Sequence, residues 1–424
     1  MLKKISAIIV SVALAAAMTA CSQTTSTTSQ TTASSSTVQT SKGTVAAQDA
    51  GSEESAAQQT ASASQTAADS SSELFTERDL EQSPDLSDAK KITVSDNQTI
   101  DITEAGTYVL SGTASQCTVK VSVDSEDKVQ LVLDGVTITN TDFPAIYVLS
   151  ADKCFITTTG SENSLTVTGT FKADGDTNTD AVIFSKDDLV FNGTGTLKIA
   201  SANGNGISGK DDIKVTGGTY EITSALDSIE ANDSISVCGG TFTITSGKDG
   251  LHSANDDDQT QGTIYISDGT FIINADSDAI QGNTGVQIDG GTFTIKASEG
   301  IESTYVLING GTISIEASDD GINAANKSSA YKTPTVEING GDIKIVMGQG
   351  DTDAIDANGN ITVNGGKIDI TATVSSFDYN GTATYNGGTI IINGTEVNQI
   401  PQATMGGGMR GGMQGGMRGN RGGF

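Results

Sequence analysis

Tryptophan is absent from the 424 residues, histidine occurs once, at His252, and aromatic residues make up only 4%. So few rings argue against a large core filled by them. A single histidine all but excludes His-based metal sites and Ser-His-Asp triads. The four cysteines, Cys21, Cys117, Cys154 and Cys238, form no CxxC pair and no Cys/His zinc spacing. Apart from Cys21 three remain, and three cannot all pair within one chain. A Cys117–Cys154 bridge is one reading and buried free thiols the other. Basic residues are scarce too: 23 Lys plus Arg face 52 Asp plus Glu, a formal net charge of -29. Such a surface repels phosphate backbones, which excludes nucleic acid as a partner, and it attracts cations. What the chain has in quantity is glycine, 50 residues, which suits tight turns and thin aliphatic layers.

The two ends read as segments outside the fold. Residues 1–20 carry Lys3 and Lys4, then an apolar run from Ile5 to Ala17. That run is too short to span a bilayer and reads as an export signal. "MTAC" closes it at Cys21, like a bacterial lipoprotein box whose cysteine is lipidated, with Met18 where Leu is usual. Residues 21–72, nearly all Ser, Thr, Gln and Ala, bury too little apolar surface to offset ordering entropy and read as a flexible linker. At the far end, 401–424 is a Gly/Met/Arg-rich tail with Arg410, Arg418 and Arg421, either unstructured or an electrostatic attachment to acidic polymers or a neighbouring copy. Localisation at the outer face of the cell membrane follows, with contact to the membrane through the lipid alone and the chain acting as a monomer.

Between the ends the sequence repeats. Gly-Gly pairs begin at Gly217, Gly239, Gly290, Gly310, Gly340, Gly365 and Gly387, with Asp268-Gly269 standing in for one. The spacing, mostly near 22 residues, is that of a solenoid. Each unit reads apolar-x-apolar-x-Gly-Gly-Thr-apolar-x-Ile, as in "VQIDGGTFTIKA" from Val286 to Ala297. Strict alternation means strand, and the glycines permit a corner at φ > 0. An acidic corner, a short strand such as "DAIQG" and a third polar turn complete one coil of a parallel β-helix. About ten to eleven coils are expected over 117–400, with 73–116 as an N-terminal cap against unpaired edges. Aligned Asn and Thr before the glycines are placed to hydrogen-bond along the stack.

Aligned on the third strand, the residue two before its aliphatic is Asp180, Asn205, Asp227, Asp249, Asp278, Glu299, Asp320 or Asp353. The residue just after it includes Glu230, Glu302 and Asp356, with His252, Gln281 and Asn323 in the same column. Stacking sets neighbours about 4.8 Å apart, and two bare carboxylates at that distance repel by about 1 kcal/mol in water and ~3–4 at an effective dielectric near 20. Such a ladder needs donors, raised pKa values or cations, and the oxygen-loving cation is Ca2+. Turn chemistry is the simpler account of Asp at these corners, but it gives no reason for Glu299. "DGDTNTD" adds oxygens at Asp174, Asp176, Asn178 and Asp180, like half an EF-hand loop lacking its Gly and closing Glu. The turns "SKDDL" and "GKDDI" add Asp187, Asp188, Asp211 and Asp212.

"EAGTYVLSGT", "VQLVLDGVTI", "SKDDLVFNGTGTLKI" and the GGTFTI/DGI coils resemble a family of bacterial, often clostridial, surface carbohydrate-binding β-helix domains, over roughly Ile92 to Ile400. The resemblance implies a right-handed parallel β-helix similar to pectate lyases, calcium on the helix, and affinity for cellulose and acidic polysaccharides such as pectin. The resulting reading is a surface-anchored, calcium-dependent, non-catalytic polysaccharide binder. Calcium would bridge protein and glycan carboxylates, and Tyr305, Tyr331, Phe377 and Tyr379 would supply aromatic contacts. The alternatives are a pectate-lyase-like enzyme, in which Lys210 or Lys248 takes the proton; a hydrolase using paired carboxylates, though its Arg-containing clamp is missing; and a structural spacer or adhesin.

Overall fold

The two corner glycines have different jobs. A Cβ on Gly290 would lie 2.5 Å from the carbonyl oxygen of Ser267 on the neighbouring coil, whereas Gly291 sits at φ +97. The first glycine allows coils to approach closely, and only the second meets the conformational demand that sequence reasoning assigned to both. Around these corners a computed structural model describes residues 74–349 and 352–401. Cys21, the linker and the arginines of the tail lie outside the described residues.

Three walls of parallel strands stack along the chain. The first wall precedes the glycine corner, with strands such as Asp212–Val215, Ser234–Val237 and Thr263–Ile266. The second follows it, with Thr219–Ser224, Thr241–Ser246 and Thr270–Ala275. The third follows the acidic corner, with Asn205–Gly209, Ile229–Ala231 and Leu251–Ser253. It runs through twelve strands, from Gln98–Ile102 to Ser375–Tyr379. Among the described residues no helix interrupts this all-β parallel helix. The stack starts before Cys117: Lys90–Thr93 already pairs in parallel with Tyr108–Ser111.

Alternating side chains point into one shared core of Ile, Val and Leu. One column departs from the expected aliphatic filling. Tyr220, Phe242, Phe271 and Phe293 stack with centroids 5.2, 4.6 and 4.7 Å apart, so the scarce rings are concentrated where identical positions meet. Cys117 and Cys154 are buried thiols without a disulfide, and burial pushes Cys154 up to about 12. Outside the first wall, the stretch from Phe75 to Gln82 is strapped down. Asp79 is fully buried 3.4 Å from Lys153 Nζ, Arg78 covers the ring of Phe155 at 4.4 Å, and Gln82 binds Thr216 and Gly193. At the other end the chain reverses on Asn393-Gly394, both at φ > 0, so that Thr395–Val397 pairs antiparallel with Thr389–Ile392. This two-residue hairpin covers the last edge of the second wall.

Candidate functional site: the acidic outer face of the third wall

Register brings the expected columns together. Ser208, Glu230, His252, Gln281, Glu302, Asn323, Asp356 and Asp378 form one outward row. Beside it runs the column of Asn205, Asp227, Asp249, Asp278, Glu299, Asp320 and Asp353. There one side-chain oxygen is structural. Asn205 Oδ1 accepts the N–H of Asp227 at 2.9 Å, Asp227 Oδ1 that of Asp249 at 2.9 Å, Asp249 Oδ1 that of Asp278 at 3.0 Å, and Asp320 Oδ1 that of Asp353 at 3.1 Å. The turn-forming account is therefore correct for one oxygen each of Asp227, Asp249 and Asp320, as for the amide oxygen of Asn205, and leaves each of these carboxylates a second oxygen.

Among the described residues, four groups have ligand atoms within 4.8 Å of one another: Asp227/Asp249/His252, Asp278/Glu299/Glu302, Asp353/Asp356/Asp378 and, at a separate corner, Asp188/Asp211/Asp212. Their electrostatics differ. Asp227 and Asp249 are 3% and 1% exposed, yet Lys248 Nζ lies 2.9 Å from Asp227 Oδ2 and 3.6 Å from Asp249 Oδ2. His252 Nδ1 lies 3.4 Å from Asp227 Oδ2. Burial works to raise Asp227, but hydrogen bonds from His252 and Lys248 outweigh it and hold the carboxyl below its ordinary range. Glu230 is likewise occupied, by Asn205 Nδ2 at 2.9 Å, Ser208 Oγ at 2.7 Å and Lys210 at 3.6 Å.

Further along, compensation thins out. Burial, then the charges of Asp249 and Glu302, pushes Asp278 up to about 8. Burial and Glu302 push Glu299 to about 7. Burial, despite the Asp353 N–H, pushes Asp320 to about 7. Burial with Asp353 and Asp378 pushes Asp356 to about 6. Lys327 reaches this stretch at Glu302, 2.5 Å away, and Gln281 Nε2 donates to both Asp278 and Glu302 at 2.6 Å. Asn323, 8% exposed, donates to Glu299 at 3.0 Å and leaves its buried Oδ1 without a partner. At the separate corner, burial followed by Asp188 and Asp212 pushes Asp211 to about 7.

Several expected ligands stand elsewhere. Ala181, not Asp180, is in register with Asn205, so Asp180 is one residue out of the column, and its Oδ2 takes Asn178 Nδ2 at 2.7 Å. The half EF-hand is not assembled. Asp174, Asp176 and Asn178 are exposed, and Asp174 Oδ2 accepts Tyr147 Oη at 3.1 Å while its backbone closes a tight turn on Thr177. Asp187 leaves the Asp188 group to bind the Ala151 N–H at 3.1 Å. Phe377 is 1% exposed and fills the core in register with Ile355, so it offers no face to a ligand; Tyr379 also packs on the core. Tyr305 and Tyr331 do form a half-buried stacked pair, centroids 4.9 Å apart, outside the first wall. Asp378 escaped notice because Ser375 and Phe377 replace the acid and the aliphatic that mark other coils. The Ile355–Phe377 equivalence would have found it.

A carbohydrate-binding domain-containing protein of Acetivibrio thermocellus is 36% identical over 126 residues, 29% of this chain and 44% of that protein. The chain thus matches under half of that relative. A solved structure described as a polysaccharide lyase-like protein from C. thermocellum, in a gadolinium derivative, is 30% identical with a TM-score of 0.46, covering 52% of this chain and 92% of its own. The model of the carbohydrate-binding domain-containing protein family matches residues 96–354 and 302–396, nearly the whole coil stack, and the chain belongs to that family.

Proposed function

We propose that the chain is a surface-anchored, non-catalytic binder of acidic polysaccharides such as polygalacturonate, dependent on calcium held on the third wall and tethered through Cys21. The observation that carries this reading is the run of under-compensated carboxylates from Asp278 to Asp378. The donors suit a hard cation: every side chain in the two C-terminal groups ends in carboxylate oxygen, with no His or Cys, and the orphaned Asn323 Oδ1 adds a neutral oxygen. Asp278, Glu299 and Glu302 would hold one ion, and Asp353, Asp356 and Asp378 another. The ion would supply positive charge through which a uronate carboxylate is held by an otherwise repelling face. Tyr305 and Tyr331, a stacked pair, would contribute a ring surface, and cellulose would be the secondary ligand.

The lyase alternative is weaker on the positions of its bases. Hydrogen bonding to Asp227 raises Lys248 despite burial, the wrong direction for a proton acceptor. Lys210 is paired with Glu230. Retention on polygalacturonate and cellulose, with calcium and with a chelator, tests the proposal. Chelator-resistant retention would refute the calcium dependence, and unsaturated, ultraviolet-absorbing products lost in Lys248→Ala or Lys210→Ala would establish the lyase.

A further inference from the structure

Lys327 is the one cation among the described residues that pairs with the C-terminal part of the acidic row. Among the described residues, no ion pair reaches Glu299, Asp320, Asp356 or Asp378. Within the same row, between Glu302 and Asp356, lies the buried, unpartnered Oδ1 of Asn323. An orphaned acceptor among carboxylates calls for a donor or a cation. The chain carries such groups immediately beyond Pro401. The stretch 402–424 has Arg410, Arg418 and Arg421 and no acid, against one other arginine, Arg78, in the whole sequence. We propose that these arginines bind the outward carboxylates between Glu299 and Asp378 of the same molecule and compete there with the divalent cation.

Reach and chemistry agree. Asp378 belongs to the last strand of the third wall, and Pro401 follows the hairpin that ends the stack. The nine residues from Pro401 to Arg410 extend up to about 30 Å. The row from Glu302 to Asp378 rises roughly 14 Å at the strand spacing. A guanidinium offers five N–H donors in a planar fork that matches carboxylates, and a donor to the amide oxygen besides. Attachment to the same chain gives the arginines an effective concentration in the millimolar range, which weak, solvent-screened pairs need. The other acidic groups are poorer targets, because Lys248 and His252 occupy Asp227/Asp249 and Lys153 lies 3.7 Å from Asp188.

The competition rests on the cation reading above, but the docking of the arginines does not. The test compares the full chain with its Arg410→Gln/Arg418→Gln/Arg421→Gln variant, using calcium alone as the probe. At low salt the variant should bind calcium about three- to tenfold more tightly, and the difference should vanish at high salt. In chelator at low salt the variant should melt at a lower temperature than the parent, a readout that needs no calcium site. Equal affinities together with equal chelated melting temperatures would overturn the proposal. If neither protein binds calcium but the chelated melting temperatures differ, the cation reading fails and the docking stands. A melting difference that grows with protein concentration would place the contact between copies and overturn its assignment to one molecule.

Discussion

The third wall shows two solutions to one problem, how to stack acids a coil apart. From Asn205 to His252 the chain neutralises them internally: an amide opens the column, Lys248 and His252 face Asp227, and Asn205, Ser208 and Lys210 surround Glu230. From Asp278 to Asp378 it does so only in part, through Lys327 at Glu302 and the amides of Gln281 and Asn323, and the carboxyls respond by holding protons, Asp278 at about 8 and Glu299 and Asp320 at about 7. Identical backbone register thus supports a structural half and a half left in electrostatic need. Conserving a turn residue does not conserve its charge balance. The first wall makes the point without charges, since Asn339 donates to Asn309 at 2.8 Å and Asn364 to Asn339 at 2.7 Å. An amide has both a donor and an acceptor, so an amide ladder satisfies itself where a carboxylate ladder cannot.

The comparison breaks most visibly if the C-terminal acids are neutralised. Asp278→Asn/Glu299→Gln should melt higher than the parent in chelator, because repulsion is relieved, and should lose the share of the calcium response that comes from the Asp278/Glu299/Glu302 group, leaving that of Asp353/Asp356/Asp378. Calcium at about 100 times its dissociation constant stabilises by about 2.7 kcal/mol for each occupied site through mass action, and calorimetry would show one such gain absent in the variant. A variant that keeps the full calcium gain would mean the ion sits elsewhere.

Next in size is a pH effect of opposite sign in the two halves. Asp278, Glu299, Asp320 and Asp356 are raised to about 8, 7, 7 and 6, while their unfolded counterparts titrate near ~4. Between those values the folded chain holds protons that the unfolded chain has lost, so stability falls as pH rises from about 4 to about 8. Asp227 is lowered; its contribution is present above the unfolded carboxylate range and disappears as pH falls through its folded value. Melting temperature in chelator should therefore drop by several degrees between pH 5 and pH 8, and calcium should flatten that slope. A profile flat in both conditions would contradict the division.

A smaller effect is expected from Lys248→Met. It leaves Asp227 and Asp249 facing each other without their lysine and should cost about 1–2 kcal/mol, less than a fully buried pair because Lys248 is 45% exposed. Denaturant unfolding at pH 7 would measure the loss, and calcium should restore part of it by making the first half resemble the second. Failure of calcium to help would show that acidity alone does not make a site on this wall.

Much of this was legible in the sequence, for a geometric reason. A coil returns each residue to nearly the same place, so spacing along the chain becomes stacking in space, and columns such as Asp227, Asp249 and Asp278 can be read by eye. What escaped is what alignment by type cannot see. Asp180 looks like a column member, but an extra residue shifts the register by one and puts Ala181 opposite Asn205. Phe377 looks like a ring open to a ligand, but its coil uses it as the buried aliphatic. The strap from Phe75 to Gln82 has no repeat to announce it, since the Gln82 side chain finds partners more than a hundred residues away. The charge balance was hidden as well, because whether Lys248 or Lys327 meets a given acid depends on side-chain direction, not on spacing.

The finest test adds one acid to the balanced half. Asn205 Oδ1 accepts the Asp227 N–H while Nδ2 donates to Glu230. Asn205→Asp keeps the acceptor and removes the donor, setting two carboxylates 2.9 Å apart where a hydrogen bond stood. Lys210, 3.6 Å from Glu230 Oε2, offsets part of the repulsion, so the cost should stay near ~1 kcal/mol in chelator. If charge count distinguishes the halves, this single change should also give a calcium-dependent rise in melting temperature over and above that of the Asp278→Asn/Glu299→Gln background. If the variant is destabilised and calcium adds nothing beyond the response of that background, the distinction lies in the shape of the C-terminal coils, and counting carboxylates along a column would not locate an ion even when the register is right.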